Sequence, residues 1–91
     1  MRYVLYYESG DDVAGKAPLH FAAHRERWAT FHQRGDLLLI GPFTDGAGAL
    51  GVFTTAESAR EFAEGDPFVV HGVVREWHVR EWMEALGETA T

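Results

Sequence analysis

His24 stands in a stripe of aromatic residues, with Phe21, Trp28 and Phe31 on either side of it along the chain. At about 100° per residue these four side chains share a helical sector of roughly 80°. Arg25, Glu26, Arg27, Thr30, Gln33 and Arg34 mostly point elsewhere. An imidazole aimed at a core has two uses. It fills space with one nitrogen bonded to a backbone carbonyl, or a carboxylate fixes its tautomer and the other nitrogen acts as a general base. Asp66 is the preferred carboxylate, because it lies beside Pro67 where the chain leaves the second helix and turns back toward the first. Asp66 also suits the cap of the short turn from Pro67 to His71, a role worth about 1 kcal/mol. One carboxylate can serve both partners.

Other residues could line a pocket beside this pair. Gly41-Pro42 closes a strand and shapes a rim, Trp28 and Phe68 supply an apolar wall, and Tyr7 of the Tyr3, Tyr6, Tyr7 group offers a phenol as a hydrogen-bond donor. His20 and His24 have metal-ligand spacing on a helix, but Phe21 occupies the place of the glutamate that completes the zinc-protease motif. His32, His71 and His78 read as surface or packing residues. No metal is expected. Gly41, Gly46, Gly48 and Gly51 do not lead into a helix, so no phosphate-cradling loop or dinucleotide fingerprint is present and no cofactor is expected.

These residues need elements to position them. Residues 2 to 8 are dense in β-branched and aromatic side chains and predict a first strand, ended by Ser9-Gly10-Asp11-Asp12. Pro18 as first helical residue and Gly35 as stop predict a helix of about seventeen residues. Leu37-Leu38-Leu39-Ile40 predicts a strand halted by Gly41-Pro42 and covered on both faces. Asp45-Gly46-Ala47-Gly48 reads as a hairpin loop and Leu50 to Thr54 as the third strand. Thr54 and Glu57 have capping-box spacing ahead of a helix with Ala56, Ala59, Phe62 and Ala63 on its apolar face, stopped by Gly65. A turn from Pro67, a fourth strand over Val73 to Val79, a short helix at about 81–86 and a frayed tail over 87–91 complete the chain.

The order is strand, helix, strand, then strand, helix, strand, a split βαβ arrangement. This predicts a single α+β domain over 1–91, a ferredoxin-like βαββαβ protomer with an antiparallel four-stranded sheet. Its helices cover one sheet face, and apolar residues of strands one, two and four on the other face predict a homodimer in which two sheets pack as a barrel.

Ninety-one residues predict one core and no deep cavity enclosed by a single chain, so that a sizeable pocket would need a second subunit. A net charge of −6, with the basic residues scattered singly, argues against a nucleic-acid or anionic membrane partner. The chain has no cysteine, which suits a reducing cytoplasm, and its opening apolar run is too short for a signal peptide or membrane span.

Together these residues resemble the YCII-related family of small dimeric α/β-barrel proteins. The resemblance rests on Tyr3-Val4-Leu5-Tyr6-Tyr7-Glu8, His24, Leu37-Leu38-Leu39-Ile40-Gly41-Pro42-Phe43, and Asp66-Pro67-Phe68-Val69 followed by Gly72-Val73. It implies a ferredoxin-like protomer, a dimer, and a pocket with a histidine and an aspartate as catalytic pair, here His24 and Asp66. Gly48-Ala49 lacks the serine that some members carry after this glycine, and the Glu81 to Leu86 segment extends past the usual end. One member acts as a dehydrochlorinase on a chlorinated hydroxyquinol.

Two functions fit. The first is a cofactor-independent, isomerase- or lyase-like enzyme that moves a proton on a small cyclic or aromatic metabolite. The second is a non-catalytic dimeric module that binds a small ligand or merely packs, in which His24 serves the core. A cofactor-free oxygenase of the related dimeric-barrel type has no distinctive residue pattern here.

Overall fold

A computed structural model describes residues 1–87. Four strands and three helices follow in the order β1 (Arg2–Ser9), α1 (Val13–Gln33), β2 (Leu37–Pro42), β3 (Gly48–Phe53), α2 (Ala56–Gly65), α3 (Pro67–Val70) and β4 (Val74–Trp82). The strands form one antiparallel sheet in the order β2-β3-β1-β4, the ferredoxin-like arrangement expected from the element order.

Register divides the side chains between two faces. Leu5 and Tyr7 of β1 lie opposite Gly51 and Ala49 of β3 and Val79 and Trp77 of β4. Leu5 and Tyr7 join Phe31 of α1 and Ala59, Phe62 and Ala63 of α2 in one buried cluster, so this face carries the helices. Val4, Tyr6, Leu50, Val52 and Leu39 alternate onto the helix-free face. On β4 that face presents Glu76, His78, Arg80 and Trp82. The apolar residues there belong to β1, β2 and β3, with Val4 and Val52 already buried in the single chain and Leu39 exposed, and β4 is mainly polar, contrary to expectation.

Several boundaries differ from those read in the sequence. Helix α1 starts at Val13 rather than Pro18, because Asp12 caps it in the left-handed conformation and accepts the Gly15 amide. Gly15 suits this cap, since a Cβ there would push the Asp12 carboxylate out of its capping position. Pro18 lies within the helix and withholds one amide from its first turns. Strand β2 continues through Gly41 and Pro42, which an edge strand tolerates because it pairs on one side only.

Helix α2 is capped by Thr55, whose side chain accepts the Ser58 amide, one position later than the expected Thr54. The segment expected as a terminal helix over 81–86 is not helical. Strand β4 runs on to Trp82 because Arg2 and Tyr3 supply partners for Trp82 and Glu81. Of the tail expected to fray, residues 88–91 lie outside the described residues. Among the described residues no helix is long and apolar enough to cross a membrane.

Candidate active site

His24 lies on α1, and its Nδ1 is 2.7 Å from Oδ1 of Asp66. Asp66 is 0% exposed and accepts three hydrogen bonds. Oδ1 takes the Phe68 amide at 3.1 Å as well as His24, and Oδ2 takes the Tyr7 hydroxyl at 2.6 Å. An ionised carboxylate can only accept, so toward Asp66 the His24 ring carries its hydrogen on Nδ1. The lone pair of the neutral ring then sits on Nε2.

This nitrogen has no partner among the described residues, yet none of their buried polar side-chain atoms is left unpaired. Nε2 is therefore the ring atom that solvent or a ligand can reach. Burial first, then the charge and hydrogen bond of Asp66, push the Tyr7 phenol well above its ordinary range, so Tyr7 stays a neutral donor.

Local sequence explains how the carboxylate arrives. Helix α2 ends at Gly65, and Asp66 follows in extended conformation as both its C-cap and the N-cap of α3. Pro67 at the first position of α3 fixes the turn. Arg27 of α1 holds the end of α2 in place, donating to the carbonyls of Phe62 at 3.0 Å and Glu61 at 2.7 Å. Its guanidinium also lies over the Phe31 and Phe62 rings. Phe68, projected from α3, stacks on His24 with ring centroids 3.8 Å apart and nearly parallel planes. The imidazole is thus fixed by a bond at its edge and by a ring against its face.

A cavity of about 400 Å³ lies beside His24, between α1 and the strands β1, β2 and β3. Phe21, Trp28, Ile40 and Phe68 provide apolar walls, and Ala49 and Gly51 keep the floor low. Tyr7, Gly41 and Pro42 also line it. The expectation that a sizeable pocket needs a second subunit is corrected here. Small residues on adjacent strands leave room beneath α1 within one chain. Phe21, at 48% exposure, stands at the mouth rather than in the core.

His24 therefore has a buried carboxylate for a partner, where the packing reading had a backbone carbonyl. His20 does not converge with it on a common point. Its ring stacks on His71, at 4.0 Å between centroids, and joins α1 to the end of α3. His32 bonds the Leu37 carbonyl and His78 stacks on Tyr6. Two contributions escape the sequence reading: the Tyr7 bond to Asp66 and the Arg27 clasp on α2. Tyr7 gave one signal, since it alternates with Leu5 on the same face of β1. Arg27 gave none, because the partners it meets are backbone carbonyls.

The family model of the YCII-related domain matches residues 1–83. A solved structure, that of 5-chloro-2-hydroxyhydroquinone dehydrochlorinase from Burkholderia phenoliruptrix AC1100 in complex with 2,5-dihydroxybenzoquinone, is similar with a TM-score of 0.74. The two chains are 18% identical, and the likeness covers 100% of each. At this identity it speaks for the fold. The curated proteins contain no match.

Proposed function

This chain belongs to the YCII-related family, and we propose that it is a cofactor-independent enzyme in which His24, oriented by Asp66, moves a proton on a small cyclic or aromatic metabolite. The observation that carries this reading is the 2.7 Å contact between Nδ1 and the buried carboxylate, which leaves Nε2 free beside the cavity. Nε2 takes a proton from a carbon or hydroxyl of the substrate, and Asp66 stabilises the imidazolium that forms. Returning the proton to a second atom completes an isomerisation. If a leaving group such as chloride departs with its bonding electrons instead, the step is an elimination. The aromatic walls favour a planar ring, and the similar dehydrochlorinase suggests hydroxylated or chlorinated rings as first substrates.

We also propose that the protein works as a homodimer in the cytoplasm, with the helix-free sheet faces packed together. Leu39 on that face is 69% exposed and Trp82 49%.

The test is turnover of 5-chloro-2-hydroxyhydroquinone and a panel of small aromatic and lactone compounds in D₂O, followed by NMR for product and for solvent deuterium incorporation. His24→Ala and Asp66→Asn are expected to lower the rate by roughly 10²- to 10⁴-fold, the usual worth of a positioned general base, with the fold retained. Full activity in either variant removes the pair from the mechanism. If no compound turns over and His24→Phe binds the panel as well as the native chain does, the protein is a binding module.

A further inference from the structure

Tyr7 touches the pair from behind. Its hydroxyl meets Oδ2 of Asp66 while His24 and the Phe68 amide occupy Oδ1. The three donors come from β1, α1 and α3, and β1 is an inner strand held by β3 on one side and β4 on the other. A carboxylate side chain turns readily about its last torsion, and two donors on one oxygen leave that rotation partly free. A third donor on the other oxygen stops it.

We propose that Tyr7 is a positioning residue for the His24–Asp66 pair: its phenol fixes the plane of the carboxylate, and so keeps Nδ1 as the hydrogen-bearing nitrogen and Nε2 as the base, and it shares the negative charge of the carboxylate. This rests on the reading of His24 as a general base. The charge argument has a definite sign. While the phenol donates, part of the carboxylate charge is spent on Oδ2, and His24 faces a weaker anion. Without the phenol, Oδ2 is buried and bare, and the carboxylate pulls harder on the Nδ1 hydrogen and on any proton added to the ring. Tyr7 therefore keeps the pair from retaining the proton that the base must pass on.

The experiment uses the full chain and follows the His24 ring by ¹⁵N and ¹H NMR across a pH series, in the native protein, in Tyr7→Phe, and in protein labelled with 3-fluorotyrosine. In Tyr7→Phe the Nδ1 hydrogen resonance is expected to move downfield. The pair as a unit is expected to hold its added proton to a pH about one unit higher, a roughly tenfold gain in proton affinity. Fluorination makes the phenol a stronger donor at almost unchanged size and is expected to move both readings the opposite way. Tyr3 and Tyr6 are labelled too, but the hydroxyl that bonds Asp66 is that of Tyr7.

If the native and Tyr7→Phe spectra superimpose at His24 while only thermal stability falls, Tyr7 is packing and the inference is overturned. Should Tyr7→Phe fail to fold, the fluorinated chain decides, and no movement in it has the same meaning. Moved resonances together with full turnover in His24→Ala would instead sink the base reading and leave the Tyr7 coupling standing.

Discussion

Asp66 collects donors from a histidine, a tyrosine and a backbone amide, so three elements meet at one buried carboxylate. The Tyr7 phenol makes this measurable at alkaline pH. Its folded value is raised, by burial first and by Asp66 next, above the value of about 10 in an unfolded chain. Above pH 10 the unfolded state loses this proton and the folded state keeps it, so unfolding becomes easier as pH rises. The stability that Tyr7 confers is thus fully present below pH about 10 and declines beyond it, by roughly 1.4 kcal/mol per pH unit. Urea unfolding from pH about 8 to 11 is expected to show the native chain losing its advantage over Tyr7→Phe above pH about 10. The difference between the two curves removes the contributions of Tyr3 and Tyr6. Parallel curves would mean that the phenol ionises as easily folded as unfolded. At this scale the sequence exposed His24 through its stripe and Asp66 through its place before Pro67, because helical period and cap chemistry are local. The bond from Tyr7 spans 59 positions and depends on how β1 faces α3, which no local pattern encodes.

Elements were legible where periodicity was strong and misread where pairing decided. The strands β1 and β3, the apolar face of α2 and the turn at Asp66-Pro67 follow from alternation, spacing and capping. The early start of α1 hides in Asp12 and Gly15, which look like turn residues until the cap is seen. The helix expected over 81–86 has an apolar spacing that β1 overrides by offering partners to the end of β4. The cavity is likewise a property of neighbouring strands, since Ala49 and Gly51 create depth only because α1 spans above them. Ala49 lies opposite Tyr7 on the helix-bearing face. Ala49→Leu is expected to fill the cavity floor, changing stability by less than about 1.5 kcal/mol because the added carbons enter open space rather than a packed core. Calorimetric titration with a compound of the small aromatic and lactone panel that the native chain binds is expected to show at least a tenfold loss of affinity in the variant. Equal affinity in the two would place the ligand outside this cavity.

For the whole molecule the open question is what meets the helix-free side of the sheet. Sequence order announced such a face, since helices that alternate with strands in a split βαβ pattern cover one side only. Its composition was less legible, because the outward residues of β4 are mostly charged or polar while those of β1 and β3 include Val4, Tyr6, Leu50 and Val52. Leu39 extends that apolar strip to the edge strand β2 and is largely exposed in the single chain. A two-fold interface buries each such residue twice, so a substitution there acts twice on assembly and little on the isolated fold. Burying a leucine is worth about 2 kcal/mol, and replacing both copies with a charge removes that gain and adds repulsion between chains that already carry a net charge of −6 each. Leu39→Asp is therefore expected to weaken the dimer by roughly a hundredfold or more. Light scattering across a dilution series would show native dimer and variant monomer at low micromolar concentration, with unchanged circular dichroism. A native chain that is monodisperse as a monomer, or a variant that stays dimeric, would remove this face as the interface. The cavity beside His24 would then have to work within one protomer, which its formation by a single chain permits.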